Sequence, residues 1–92
     1  MKRLSVKIHG KVQGVFFRVK IQEKANSLGL VGWVRNAEDG TVELLAEGKS
    51  GDLMKLLEFC KDGPEHALVE KVEDSWKEIN ILSFEGFEIN YT

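Results

Sequence analysis

Apolar and polar residues alternate through Leu4, Val6 and Ile8, the period of a strand with one face in a core. The period then changes. Ile21, Ala25 and Leu28 recur at i, i+4 and i+7, which predicts a helix over Arg18 to Ser27 with one apolar stripe and a polar face of Lys20, Glu23, Lys24 and Asn26. Leu28-Gly29-Leu30 closes it, with Gly29 where a helix end turns into left-handed backbone. Val31 to Asn36 is β-prone, and Thr41 to Glu47 alternates through Val42, Leu44 and Ala46. Glu38-Asp39-Gly40 lies between them, so the two runs make a hairpin turned through Asp-Gly. Leu53, Leu56, Leu57 and Cys60 mark a second amphipathic helix, entered through cap residues in Gly48 to Asp52 and stopped at Gly63-Pro64. Ala67 to Trp76 reads as a less regular strand and Lys77 to Glu85 as a connection. Gly86 to Tyr91 forms a last strand alternating through Phe87, Ile89 and Tyr91.

The order is β-α-β-β-α-β with an extra strand piece. Each helix has one apolar stripe and each strand one apolar face. Stacking both helices on one face of a largely antiparallel sheet buries every stripe, so the expected fold is α+β, a ferredoxin-like split β-α-β sandwich of four to five strands. A chain of 92 residues forms one domain, 1–92, able to bury roughly 60–65% of its unfolded surface without staples.

Composition narrows the partners. Thirteen basic against 15 acidic residues give a net charge of −2, unlike the basic excess of a nonspecific nucleic-acid binder. The sheet also lacks the basic, aromatic-dense strand of an RNA-binding module, and Trp33 and Trp76 read as packing residues. The single cysteine, Cys60, permits neither an internal disulfide nor a thiolate metal cluster, and its place on the helix stripe makes it a packed apolar residue. No apolar run approaches the roughly 20 residues of a membrane span, and Met1-Lys2-Arg3 leads straight into a strand. A monomeric cytoplasmic protein with neither membrane nor nucleic-acid partner is the expectation.

The chemistry concentrates at Gly10-Lys11-Val12-Gln13-Gly14-Val15-Phe16-Phe17-Arg18. A glycine-bracketed loop entering a helix leaves several N–H groups without intrahelical partners at the positive end of the helix dipole, which makes an anion cradle. Arg18 adds a planar fork suited to two oxygens at once. A tight turn with a surface arginine would have the same pattern. The loop is neither a Walker loop nor the dinucleotide fingerprint. His9 reads as a solvated strand-end histidine rather than a proton donor, because no ligand-spaced His, Cys or carboxylate surrounds it. In a β-α-β crossover both strands end at the same sheet edge, so Asn36 can face the loop. Its amide would hold a water in line with a bound phosphorus, or else cap the hairpin turn.

Gly10-Lys-Val-Gln-Gly-Val-Phe-Phe-Arg18, followed by Leu28-Gly-Leu-Val-Gly-Trp-Val-Arg-Asn36, Asp39-Gly-Thr-Val42 and Glu47-Gly48, closely resembles the two signature segments of the acylphosphatases, and the resemblance covers essentially the whole chain. It implies a small enzyme that hydrolyses the carboxyl-phosphate bond of acyl phosphates to a carboxylate and inorganic phosphate, with no metal and no cofactor. Carried over by position, Arg18 and Asn36 are the catalytic residues. The amides of Gly14, Val15, Phe16, Phe17 and Arg18, with the Arg18 side chain, hold the phosphate, and Asn36 orients the attacking water. Many members have Thr three residues after the motif arginine, where this chain has Ile21, which removes a hydroxyl and leaves the turnover rate open. The alternative is a non-catalytic domain of the same fold that binds acyl or carbamoyl phosphate. A chain ending at Thr92, with no further module, favours the enzyme.

Overall fold

The computed structural model describes residues 1–91; Thr92, the last position of the expected 1–92 unit, lies outside them. The elements are β1 (Lys2–Lys11), α1 (Phe17–Ser27), β2 (Val31–Asn36), β3 (Val42–Gly48), α2 (Ser50–Asp62), β4 (Leu68–Glu78) and β5 (Phe87–Asn90). They form one five-stranded sheet in the order β4-β1-β3-β2-β5. β3 is antiparallel to both β1 and β2, β4 is antiparallel to β1, and β5 lies parallel to β2. The extra strand piece is therefore a fifth strand at the sheet edge. Lys77 and Glu78 continue β4 rather than beginning the connection.

The alternation sorts the faces as the pattern predicts. Leu4, Val6 and Ile8 pair with Ala46, Leu44 and Val42, and all six are buried beneath the helices. Ile21 and Ala25 of α1 and Leu53, Leu56, Leu57 and Cys60 of α2 complete that core. Burial pushes the Cys60 thiol up to about 12, as suits a small packed apolar side chain. α1 ends in a Schellman motif: the Leu30 N–H donates to the Ala25 carbonyl at 2.9 Å and the Gly29 N–H to that of Asn26 at 3.1 Å. The α2 start differs from expectation. Its cap residue is Lys49, with no side-chain cap, and Asp52 in the first turn faces the dipole instead.

Gly32 sets the closeness of β2 to β3. Its φ is 141°, and a Cβ there would lie 1.9 Å from the Leu45 carbonyl oxygen, so any side chain forces the strands apart.

Glu47 is buried on a strand whose polar alternation would leave it solvated, with 0% exposure. Arg3 Nε donates to Glu47 Oε2 at 2.7 Å, and the Ser83 N–H donates to Oε1 at 2.6 Å. Arg3 also donates to the Ser83 hydroxyl at 3.0 Å. The irregular connection between β4 and β5 is thus tied to the first and third strands through one carboxylate. Burial pushes the Glu47 pKa up, but the Ser83 N–H and the Arg3 guanidinium outweigh it and hold the group below its ordinary value.

Two outcomes follow. Gly32→Ala is expected to destabilise the protein by about 2–4 kcal/mol in chemical denaturation, the scale of backbone strain at a site that cannot relax. A carboxylate whose folded pKa is lowered contributes stability above its unfolded value, about 4.3, and that stability is lost as pH falls through the folded value. Glu47→Gln is therefore expected to lower Tm at pH 7 by about 5–10 °C. Its Tm should also vary less than the parent's between about pH 5 and pH 3, as followed by circular dichroism.

Candidate active site

β1 and β2 run parallel on either side of β3, and β5 runs parallel to β2, so three strands end at the same edge of the sheet. The loop Val12 to Phe16 leaves β1 at that edge and enters α1. Its two ends are anchored in the core by Val12 and Phe17, each 1% exposed. Between them Gly14 has φ 76° and Phe16 φ 61°, the latter a left-handed conformation that costs a side-chain-bearing residue roughly 1–2 kcal/mol. This kink turns the chain so that α1 begins at Phe17 with no side-chain cap and no acidic residue in its first turn. The first N–H groups of a helix have no carbonyl four residues back, and this start, beside Arg18, supplies no side-chain cap for them.

Gln13 braces this loop from below. Its Nε2 donates to the carbonyls of Ala37 at 2.8 Å and Thr41 at 2.9 Å, at the two ends of the β2–β3 turn. That turn is closed by Asp39, which accepts from the Thr41 N–H at 3.1 Å and the Thr41 hydroxyl at 2.6 Å. The Thr41 and Lys7 bonds hold the Asp39 carboxyl well below its usual range. Asp39, not Asn36, is thus the side chain that caps the turn. Asn36 pairs with the fully buried Val42 and so projects to the helix-facing side. Its Oδ1 is buried and has no hydrogen-bond partner among the described residues, leaving a carbonyl acceptor aimed into the site.

A cleft of about 150 Å³ brings Asn36 together with Gly14, Phe16, Phe17 and Arg18. Val15 does not line it; its side chain is half-buried against the core. Ile21 is wholly buried, so its position supplies no hydroxyl. His9 lies outside the cleft, its Nε2 2.7 Å from Glu73 Oε2 on the open side of the sheet. That side has a wider depression, of about 390 Å³, which holds none of the expected residues, and its Lys7, Arg35 and His9 are each paired with a carboxylate.

Val12, Val19, Ile89 and Tyr91 also line the cleft and were not among the expected site residues. The register of β5 on β2, with Arg35 beside Asn90, carries Tyr91 alongside Asn36. There the Tyr91 ring lies 5.2 Å from the Arg18 guanidinium carbon, a cation–π contact of about 0.5–1 kcal/mol. Gln22 holds this strand to α1 by donating to the Phe87 carbonyl at 3.1 Å. The alternation of Phe87, Ile89 and Tyr91 signalled their shared face but not which end of the sheet it reached. Chemically the cleft offers amide donors, one guanidinium and one amide acceptor. Among the described residues its lining holds no Asp, Glu, His or Cys.

Comparison with known proteins converges on one family. Residues 4–89 match the acylphosphatase family model. The acylphosphatase of Pyrobaculum aerophilum is 51% identical over 90 residues, covering 97% of this chain and 94% of its own. That of Acaryochloris marina is 50% identical over 86 residues, covering 94% and 90%. The crystal structure of acylphosphatase from Bacillus subtilis superposes with a TM-score of 0.93 at 34% identity, covering 99% of this chain and 100% of that one.

Gln13→Ala removes both brace bonds at once. It is expected to cost about 1–2 kcal/mol of stability and to weaken inorganic phosphate binding several-fold in an NMR titration, because the loop loses its fixed distance from the turn.

Proposed function

The chain belongs to the acylphosphatase family, and from that membership we propose that Arg18 and the Gly14 to Arg18 amides hold the phosphoryl group while Asn36 aims the attacking water. The protein is an enzyme of that family, with an acyl phosphate as substrate and inorganic phosphate as product. The observation that carries the assignment of roles is the cleft shared by Arg18, Gly14, Phe16, Phe17 and Asn36.

The water oxygen attacks phosphorus as the bond from phosphorus to the acyl oxygen breaks, and the electron pair of that bond leaves on the carboxylate. A carboxylate is a weak base and needs no general acid to depart. Charge spreading over the phosphoryl oxygens is met by the unpaired amides and the Arg18 fork. Asn36 Oδ1 accepts a hydrogen bond from the water, which turns a lone pair of the water toward phosphorus. Both water protons finish on the product phosphate, since among the described residues no lining side chain is a base. Positioning and electrostatics thus account for the chemistry with neither metal nor cofactor.

The charged side chains of β4, among them Glu70, Lys71, Glu73, Lys77 and Glu78, blunt pairing at that long sheet edge and support a monomer. The unpaired, buried Cys60 thiol suits a reducing cytoplasm. No helix among the described residues is long and apolar enough to cross a membrane.

The test is hydrolysis of benzoyl phosphate with EDTA present. Arg18→Ala and Asn36→Ala are each expected to lower kcat by about 10²-fold or more, as for removing one preorganised transition-state contact. In ¹⁸O-labelled water the label should enter phosphate and not benzoate. Label in benzoate would overturn attack at phosphorus, and phosphate binding without turnover would turn the assignment to the non-catalytic alternative.

A further inference from the structure

We infer that Phe16, Val19 and Tyr91 form an open apolar collar that receives the acyl group, so that the preferred substrates are acyl phosphates with an apolar acyl chain. This rests on the Gly14 to Arg18 loop being the phosphate site. With the phosphoryl group in that loop, the acyl carbon is joined to phosphorus through one oxygen, and its substituent starts at the mouth of the cradle. The exposed apolar side chains that line the cleft are Phe16 at 77% exposure, Val19 at 40% and Tyr91 at 76%. Single exposed hydrophobic residues are ordinary on a protein surface, but three converging on one small cleft are not. Phe16 is the more telling because its left-handed backbone is strained while its ring gains almost no burial. The stability of the free protein gives no reason for a phenyl group there, whereas contact with a ligand does. Charge points the same way. Among the described residues Arg18 is the only charged one in the lining, and the phosphoryl group engages it, so an acyl chain ending in a carboxylate, an ammonium or a second phosphate meets no partner there.

Acetyl, butyryl and hexanoyl phosphate test this cleanly, because their leaving groups are almost equally acidic and differ only in apolar length. The expected result is a rise in kcat/KM of about twofold per added methylene, roughly 16-fold from acetyl to hexanoyl, carried by KM; full burial would give more, but the collar is open on one side. Succinyl phosphate, which carries a terminal carboxylate, should fall below butyryl phosphate. Val19→Ser and Tyr91→Ser should each reduce the hexanoyl-to-acetyl ratio, taken within each variant, by about threefold, while Tyr91→Phe retains it. Both positions are exposed, so truncation leaves the fold intact. A flat dependence on chain length, or a ratio unmoved by Val19→Ser and Tyr91→Ser, overturns the collar while the phosphate site stands. Failure to turn over any of the substrates overturns the collar as a substrate subsite; the phosphate site falls with it only if inorganic phosphate also fails to bind in an NMR titration.

Discussion

The pairing of Asn36 with Val42 in the antiparallel β2–β3 register is the constraint on which the site depends. Side chains alternate with period two, so a slip of one residue would turn Asn36 to the open face and bring Arg35 under the helices. Two features hold this register. The Asp-Gly turn, closed by Asp39 on Thr41, sets the loop length, and Gly32 lets the two backbones approach where a Cβ would strike the Leu45 carbonyl. Gln13 then carries the register across to the other half of the site, since its amide reads the positions of Ala37 and Thr41 directly. The distance between the amide cradle and Asn36 is therefore fixed by backbone carbonyls and not by flexible side chains.

Several groups at this edge lack the partners that such groups usually have in a folded protein. The first turn of α1 has no side-chain cap, and the Asn36 oxygen is buried without a partner. Phe16 sits in a strained backbone region. Each is unfavourable in the free protein, and under the proposed roles each would be offset by a phosphoryl group and a water bound between them. The fully packed core of Leu4, Ile8, Ile21, Val34, Leu53 and Leu56 supplies the stability that offsets these costs.

The far end of the sheet also bears on the site. Glu47 ties Arg3 and the Ser83 backbone together beneath the β4–β5 connection, and β5 begins soon after. β5 carries Ile89, and Tyr91 follows it at the edge of the cleft, with the Tyr91 ring against Arg18. The buried carboxylate and the cleft stand at opposite ends of the strand they share an interest in.

Periodicity alone was enough to place both helices, the hairpin and the helix-facing residues, because each depends on neighbours three, four or two positions away in the chain. The glycine loop and Arg18 were legible for a related reason: a helix start with unpaired amides is a local property. Asn36 was half legible, since its strand was clear while its two roles, cap or cleft residue, differed only in which way a register placed it. The burial of Glu47, the brace from Gln13 and the arrival of Tyr91 beside Arg18 had no signal in the pattern. Each is a contact between residues far apart in the chain, and an alternating stretch does not state which strand will lie beside it or in what direction. By itself the sequence determined the elements, their apolar faces and the glycine loop that leads into α1. The tertiary structure decided which strand ends meet, because strand order and register are settled by the packing of the whole sheet.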